Sequence, residues 1–214
     1  HEKGTAVVEA HTPTPPAAAP VEVTSTLPAI AADGIECPQH VGIVGLGLIG
    51  GSLAVRLRSA GCAVSAWNHR AHPYETAARI GIECKDTLEE LVEAQPDVLV
   101  LCNPLVAMPK ILQTIKQIID PARTTLTDVG SVKGLVREQV HAAGITDCYV
   151  GAHPMTGNER SGWTAANPGI FDNALWALTY DEHTEYRRIV QVAGLITRGL
   201  QNSLIVIDDE THDR

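Results

Sequence analysis

The sequence predicts an α/β fold built on a doubly wound, mainly parallel sheet. Three observations lead there. Short apolar runs of strand length alternate with longer stretches of helix length along most of the chain. One run, DVLVLC at 97–102, is apolar almost throughout, as happens when helices cover both faces of a sheet. A glycine-rich turn joins the first regular strand to the first helix.

Residues 1–36 stand apart, rich in Pro, Ala and Thr without periodicity. Proline removes amide donors and fixes φ, so this stretch reads as an extended or disordered leader, with a short edge strand at 21–23 as the rival reading. The body, 37–208, opens on HVGIVG at 40–45, followed by a helix over 49–60 that Gly61 stops. CAVSAW (62–67) is the second strand. Pro73 suits the first turn of a helix at 74–80, and a short strand follows at 82–84. Thr87 with Glu90 three residues on forms a capping box for a helix at 88–94. After the 97–102 strand come a helix at 109–119, a strand at 124–129 and a helix at 135–143 ended by Gly144. Strands at 148–153 and 174–179, a long helix at about 183–199 and a final strand at 203–208 complete the body. Right-handed crossovers are expected to bring the strands' carboxyl ends to one edge, where open sheets bind ligands.

Composition removes several function classes. The 214 residues, 44% of them apolar, suffice for a sizeable core, and the 4% aromatic content means that Val, Ile, Leu and Ala build it. With 16 Lys+Arg against 25 Asp+Glu, the net charge is −9 and no basic block offers a nucleic-acid footprint. No apolar run is long enough to span a bilayer, and no signal-peptide layout opens the chain, so no membrane partner and a cytoplasmic location are expected. The 5 cysteines (Cys37, Cys62, Cys84, Cys102, Cys148) form no CxxC pair, which reads as free thiols in a reducing compartment, with no metal site. The chain begins with His1, as a fragment or processed product does.

Gly45, Gly47 and Gly50 fall in G-x-G-x-x-G between strand and helix. The first allows a tight turn, the second lets backbone approach a pyrophosphate, and the third lets helix and strand pack closely. Amides around Leu48 and Ile49 meet the phosphate charge. This is a Rossmann-type dinucleotide site. At the end of the second strand, where an acidic residue ordinarily takes the ribose 2′-OH, the chain carries Asn68, His69 and Arg70. An amide does not repel a 2′-phosphate and arginine pairs with one, so NADP is preferred over NAD. The rival reading has Asn68 bonding an NAD ribose and His69 and Arg70 simply solvated. Asn103 and Pro104 end the fourth strand, either along the cofactor ribose or as loop terminators.

Two further clusters follow strands: Asp128, Gly130, Ser131 and Lys133, then His153, Thr156, Asn158, Glu159 and Ser161. An imidazole on this edge can take a proton from a substrate hydroxyl as a hydride leaves. A structural histidine is the alternative. Ser131 serves either the site or the cap of the next helix, and Asp128 either positions the nicotinamide end or bonds the 130–131 turn.

GLGLIGGSLA, DVGSVKG and GAHPMTGNERSGW together resemble the prephenate/arogenate dehydrogenase family of tyrosine biosynthesis, over about residue 41 to the end. The resemblance implies that His153 engages the substrate's ring hydroxyl, that Ser131 orients His153 and touches substrate and nicotinamide, and that Glu159 governs access and pH dependence. The implied reaction removes hydride from the C4 carbinol of prephenate or arogenate, with loss of carbon dioxide and aromatisation. Two departures matter. Asn68 stands where many NAD-using members have Asp, and the chain stops at Arg214, with 209–214 as the start of a link. Family members continue there into a helical C-terminal domain, absent from this chain, which makes the homodimer and supplies arginines. This piece alone is therefore expected to be nearly inactive. The competing readings are a related NADP-dependent β-hydroxyacid or imine-type oxidoreductase, and a non-catalytic dinucleotide-binding module.

Overall fold

The strands form because their apolar residues have two faces to bury. In the computed structural model, which describes residues 21–23, 35–129, 135–155 and 171–208, every side chain from Val98 to Leu101 is buried. The elements are β1 (Val21–Val23), β2 (His40–Val44), α1 (Leu48–Ser59), β3 (Ala63–Trp67), α2 (Tyr74–Arg79), β4 (Glu83–Cys84), α3 (Leu88–Glu93) and β5 (Val98–Leu101). There follow α4 (Met108–Ile118), β6 (Thr125–Asp128), α5 (Leu135–Ala143), β7 (Tyr149–Met155), β8 (Leu175–Tyr180), α6 (Tyr186–Gly194) and β9 (Ser203–Asp208). They build one sheet in the order β1-β9-β8-β7-β6-β5-β2-β3-β4.

Helices cover both faces. One layer packs Leu53 and Leu57 of α1 with Ile189 and Val192 of α6; the other packs Leu91, Leu112, Ile115 and Val140 from α3, α4 and α5. In α4 the buried set Met108, Ile111, Leu112 and Ile115 follows the i, i+3, i+4, i+7 stripe of an amphipathic helix. Full burial of each such side chain stabilises the fold by about 1.5–3 kcal/mol. The capping box forms as expected: Thr87 Oγ1 accepts from the Glu90 amide at 3.1 Å. At the other end of the molecule Arg188, 2% exposed, donates to the carbonyls of Thr124 and Pro121 and to Glu185.

Three expectations are corrected. The sheet is mainly parallel, but β7 and β8 are antiparallel, and β9 and β1 follow β8. These three strands therefore end on the opposite edge, and an apolar run such as ALWALT carries no mark of its direction. Cys37 and Cys62 are not free; they pair as a disulfide with Cα atoms 7.0 Å apart, while Cys84, Cys102 and Cys148 remain thiols. The long C-terminal helix ends its α-helical part at Gly194 and continues as a π-helical turn, Leu195–Gly199. The segment around Glu36 crosses there, so close that a Cβ on Gly194 would run into the Glu36 carbonyl. Of the two readings of the leader, Val21–Val23 adopt the edge strand, parallel to β9, and Ile35 is already buried in the core.

Candidate functional site

Chain order places β3 on one side of β2 and β5 on the other, so a crevice opens at their carboxyl ends. The glycine loop lies in it. Gly45 has φ +97, and a Cβ there would press within 3.1 Å of the Cys102–Asn103 backbone. Its amide donates to Trp67 O at 2.8 Å. A Cβ on Gly50 would run into the Gly45 carbonyl, so loop and helix touch backbone to backbone. Gly47 differs: a Cβ there would meet nothing within 4 Å. Gly47 begins α1 without a side-chain cap and no acidic residue occupies the first turn, so the amides around Leu48 and Ile49 face open space with positive polarity. This loop fits a dinucleotide pyrophosphate.

At the end of β3, Asn68 is buried and its side chain is committed inside the protein. Oδ1 accepts from the Leu46 amide at 2.9 Å, and Nδ2 donates to Arg70 O at 2.8 Å. Tyr74 braces the same turn, its hydroxyl accepting from the Asn68 amide at 2.9 Å and donating to Lys85 O at 2.7 Å. His69 and Arg70 are exposed just beyond, together with His72, which sequence reasoning passed over. Asn103 and Pro104 close the end of β5; Asn103 Nδ2 donates to Pro104 O at 3.1 Å, and its Oδ1 is buried without a partner among the described residues.

On the next strands Asp128 is buried at the end of β6 and accepts a hydrogen bond from the Tyr149 hydroxyl. That partner went unsuggested by the sequence. Burial, with the Asp128 carboxylate adding to it, pushes the neighbouring Cys102 thiol far above its ordinary range, so it stays protonated. His153 lies half-buried near the end of β7, where it faces Ala177 of β8. Gly130, Ser131, Lys133, Thr156, Asn158, Glu159 and Ser161 lie outside the described residues. Among those described, no cluster of His, Cys, Asp and Glu could hold a metal ion, and no helix is long and apolar enough to cross a membrane.

A sequence profile described as "Prephenate dehydrogenase, nucleotide-binding domain" matches residues 53–201. The chain belongs to this family. It is 30% identical over 177 residues to a prephenate dehydrogenase of Lactococcus lactis subsp. cremoris, covering 80% of this chain and 47% of that protein. The chain thus spans about half the length of the curated relatives it matches. Among solved structures, prephenate dehydrogenase from A. aeolicus, in complex with hydroxyphenyl propionate and NAD+, superimposes with a TM-score of 0.66 at 26% identity, over 82% of this chain and 62% of that one. Synechocystis arogenate dehydrogenase gives 0.66 at 28% identity, over 81% and 61%. The family match begins inside α1, so the glycine loop of this nucleotide-binding domain rests on its own geometry.

Proposed function

We propose that this domain is the cofactor half of an NAD(P)-dependent dehydrogenase that oxidatively decarboxylates prephenate or arogenate. The observation that carries the reading is the shared edge of glycine loop and histidine. β2 and β7 are three strand positions apart, or roughly 14 Å at ordinary strand spacing, a span that a dinucleotide lying across the edge can cover. Family membership, and relatives named for both substrates, support the substrate class.

In this reading Gly45, Gly47 and Gly50 admit the pyrophosphate, and Asn103 Oδ1 is an acceptor for a ribose hydroxyl. Asn68 holds the loop, while His69 and Arg70 meet a 2′-phosphate, which favours NADP over NAD. A bound nicotinamide supplies the hydride acceptor. His153 takes the proton from the substrate's ring hydroxyl, and Ser131 and Glu159 complete the site as orienting and access residues. Asp128, at the end of β6, is buried and accepts from the Tyr149 hydroxyl. Homodimerisation and the cationic partners of the substrate carboxylates belong to sequence beyond the present domain. The exposed apolar side chains of Leu48, Val106, Leu135 and Met155 on the glycine-loop side suit contact with such a neighbouring domain.

The test is turnover by the full-length polypeptide with prephenate and arogenate, each paired with NADP and NAD. Reduced cofactor is expected with at least one substrate. Tight dinucleotide binding with neither substrate oxidised would overturn the reading.

A further inference from the structure

The residues beneath His153 form a built arrangement. Side chains alternate along β7, so Tyr149, Gly151 and His153 share one face. A Cβ placed on Gly151 would lie 3.6 Å from His153 Nε2, 3.6 Å from the Tyr149 hydroxyl and 2.7 Å from Thr179 Oγ1. Both rings therefore lean over the glycine, one from each side, and β8 closes the gap with a hydroxyl. Tyr149 is itself held, because it is 8% exposed and donates to the Asp128 carboxylate on the adjacent strand. A side chain at 151 would occupy the place toward which the imidazole folds.

We infer that the Asp128–Tyr149 pair and the gap at Gly151 position the imidazole of His153. The inference rests on the proposed acid–base role of His153. Tyr149 is a positioning residue and does not itself exchange a proton with the substrate. Asp128 fixes the direction of the tyrosine hydroxyl, and that hydroxyl and Thr179 Oγ1 border the same gap over Gly151 that Nε2 borders, forming its wall. The wall limits both ring rotation and the choice of tautomer, since the group facing one ring nitrogen decides which nitrogen carries the proton. Small displacements of a reacting group are costly: about 1 Å can cost roughly 10²-fold in rate.

The experiment compares the wild-type chain with Tyr149→Phe and Gly151→Ala by 1H–15N correlation of the imidazole nitrogens, with His153 assigned from His153→Gln. His40, bonded to Ser65 Oγ at 2.7 Å on the far edge of the sheet, serves as internal control. Both variants are expected to change the His153 tautomer ratio by about threefold or more and leave His40 unmoved. In the full-length protein Tyr149→Phe should lower kcat about tenfold with dinucleotide KM unchanged, a partial form of the misplacement cost. If Tyr149→Phe fails to fold, Thr179→Val, which removes one hydroxyl from the same gap, carries the comparison. Unchanged His153 resonances in the folded variants overturn the inference whatever substrate is turned over. Shifted resonances in a protein that oxidises neither prephenate nor arogenate instead overturn the substrate reading alone.

Discussion

The side-chain oxygen of Asn68 accepts a hydrogen bond from the backbone amide of Leu46 at 2.9 Å, tying the end of β3 to the glycine loop after β2. The residue proposed to select the cofactor is therefore also a strut of the glycine loop. Asn68→Asp keeps the acceptor for Leu46 but replaces the donor to Arg70 O with a second oxygen, and it puts a negative charge beneath the exposed His69–Arg70 turn proposed to meet a 2′-phosphate. Affinity for NADP should fall about tenfold more than affinity for NAD, in line with the worth of one charge-assisted hydrogen bond. Equal losses for both cofactors, read by titration, would mean that the substitution acts only through the loop.

Arg70→Ala separates the two roles, because the loop bond uses the Arg70 carbonyl and not its guanidinium. NADP binding should weaken and lose part of its salt dependence, while NAD binding and the melting temperature stay unchanged. Titrations of both cofactors at low and high salt check this.

His153→Ala in the full-length protein should lower turnover by about 10²–10⁴-fold, the usual worth of a positioned general base. Dinucleotide affinity should remain, because the glycine loop is three strands away. Near-normal turnover at saturating substrate would remove His153 from the chemistry.

Stability should depend on pH through His40. Burial pulls its imidazole below the ordinary value of 6.5, against the opposing pull of Asp97 and Glu83. The folded state thus favours the neutral ring, so its contribution is present above that ordinary value and is lost as pH falls through it toward the depressed folded value. The melting temperature should drop between about pH 7 and pH 5, and His40→Gln should flatten that part of the curve. An identical slope in the variant would assign the dependence to other groups.

Arg188→Met tests the buried guanidinium. The variant keeps an apolar stem but strands the carbonyl of Thr124 and takes from the Pro121 carbonyl one of its two donors, leaving Arg187. A loss of roughly 3 kcal/mol is expected in urea unfolding. Arg187→Met, on the exposed side of the same turn, should cost less than about 1 kcal/mol.

Much of this architecture is legible in the sequence because it follows from local rules. α5 stops where Gly144 adopts φ +76, and Thr87 caps α3 as its spacing to Glu90 implies. What escaped is long-range. The hydrogen bond between Tyr149 and Asp128 joins residues 21 apart, and the Cys37–Cys62 pair spans 25; no periodicity reports either. At position 68 the sequence shows an uncharged residue where dinucleotide sites ordinarily carry an acidic one. Only the fold shows that both ends of its amide are already used inside the protein, which makes His69 and Arg70 the outward-facing members of that turn.

Dinucleotide binding at the glycine loop underlies every role proposed for this edge, and Gly47 tests it most directly. A Cβ there meets nothing within 4 Å in the protein, so Gly47→Ala should fold and melt like the wild type. A pyrophosphate lying on the loop would meet that methyl group. Calorimetric titration of NADP into both proteins should show binding by the wild type and a loss of about tenfold or more in the variant, the consequence of denying close backbone approach. Equal binding by Gly47→Ala and wild type, or none by the wild type, would contradict the placement of the cofactor on this edge.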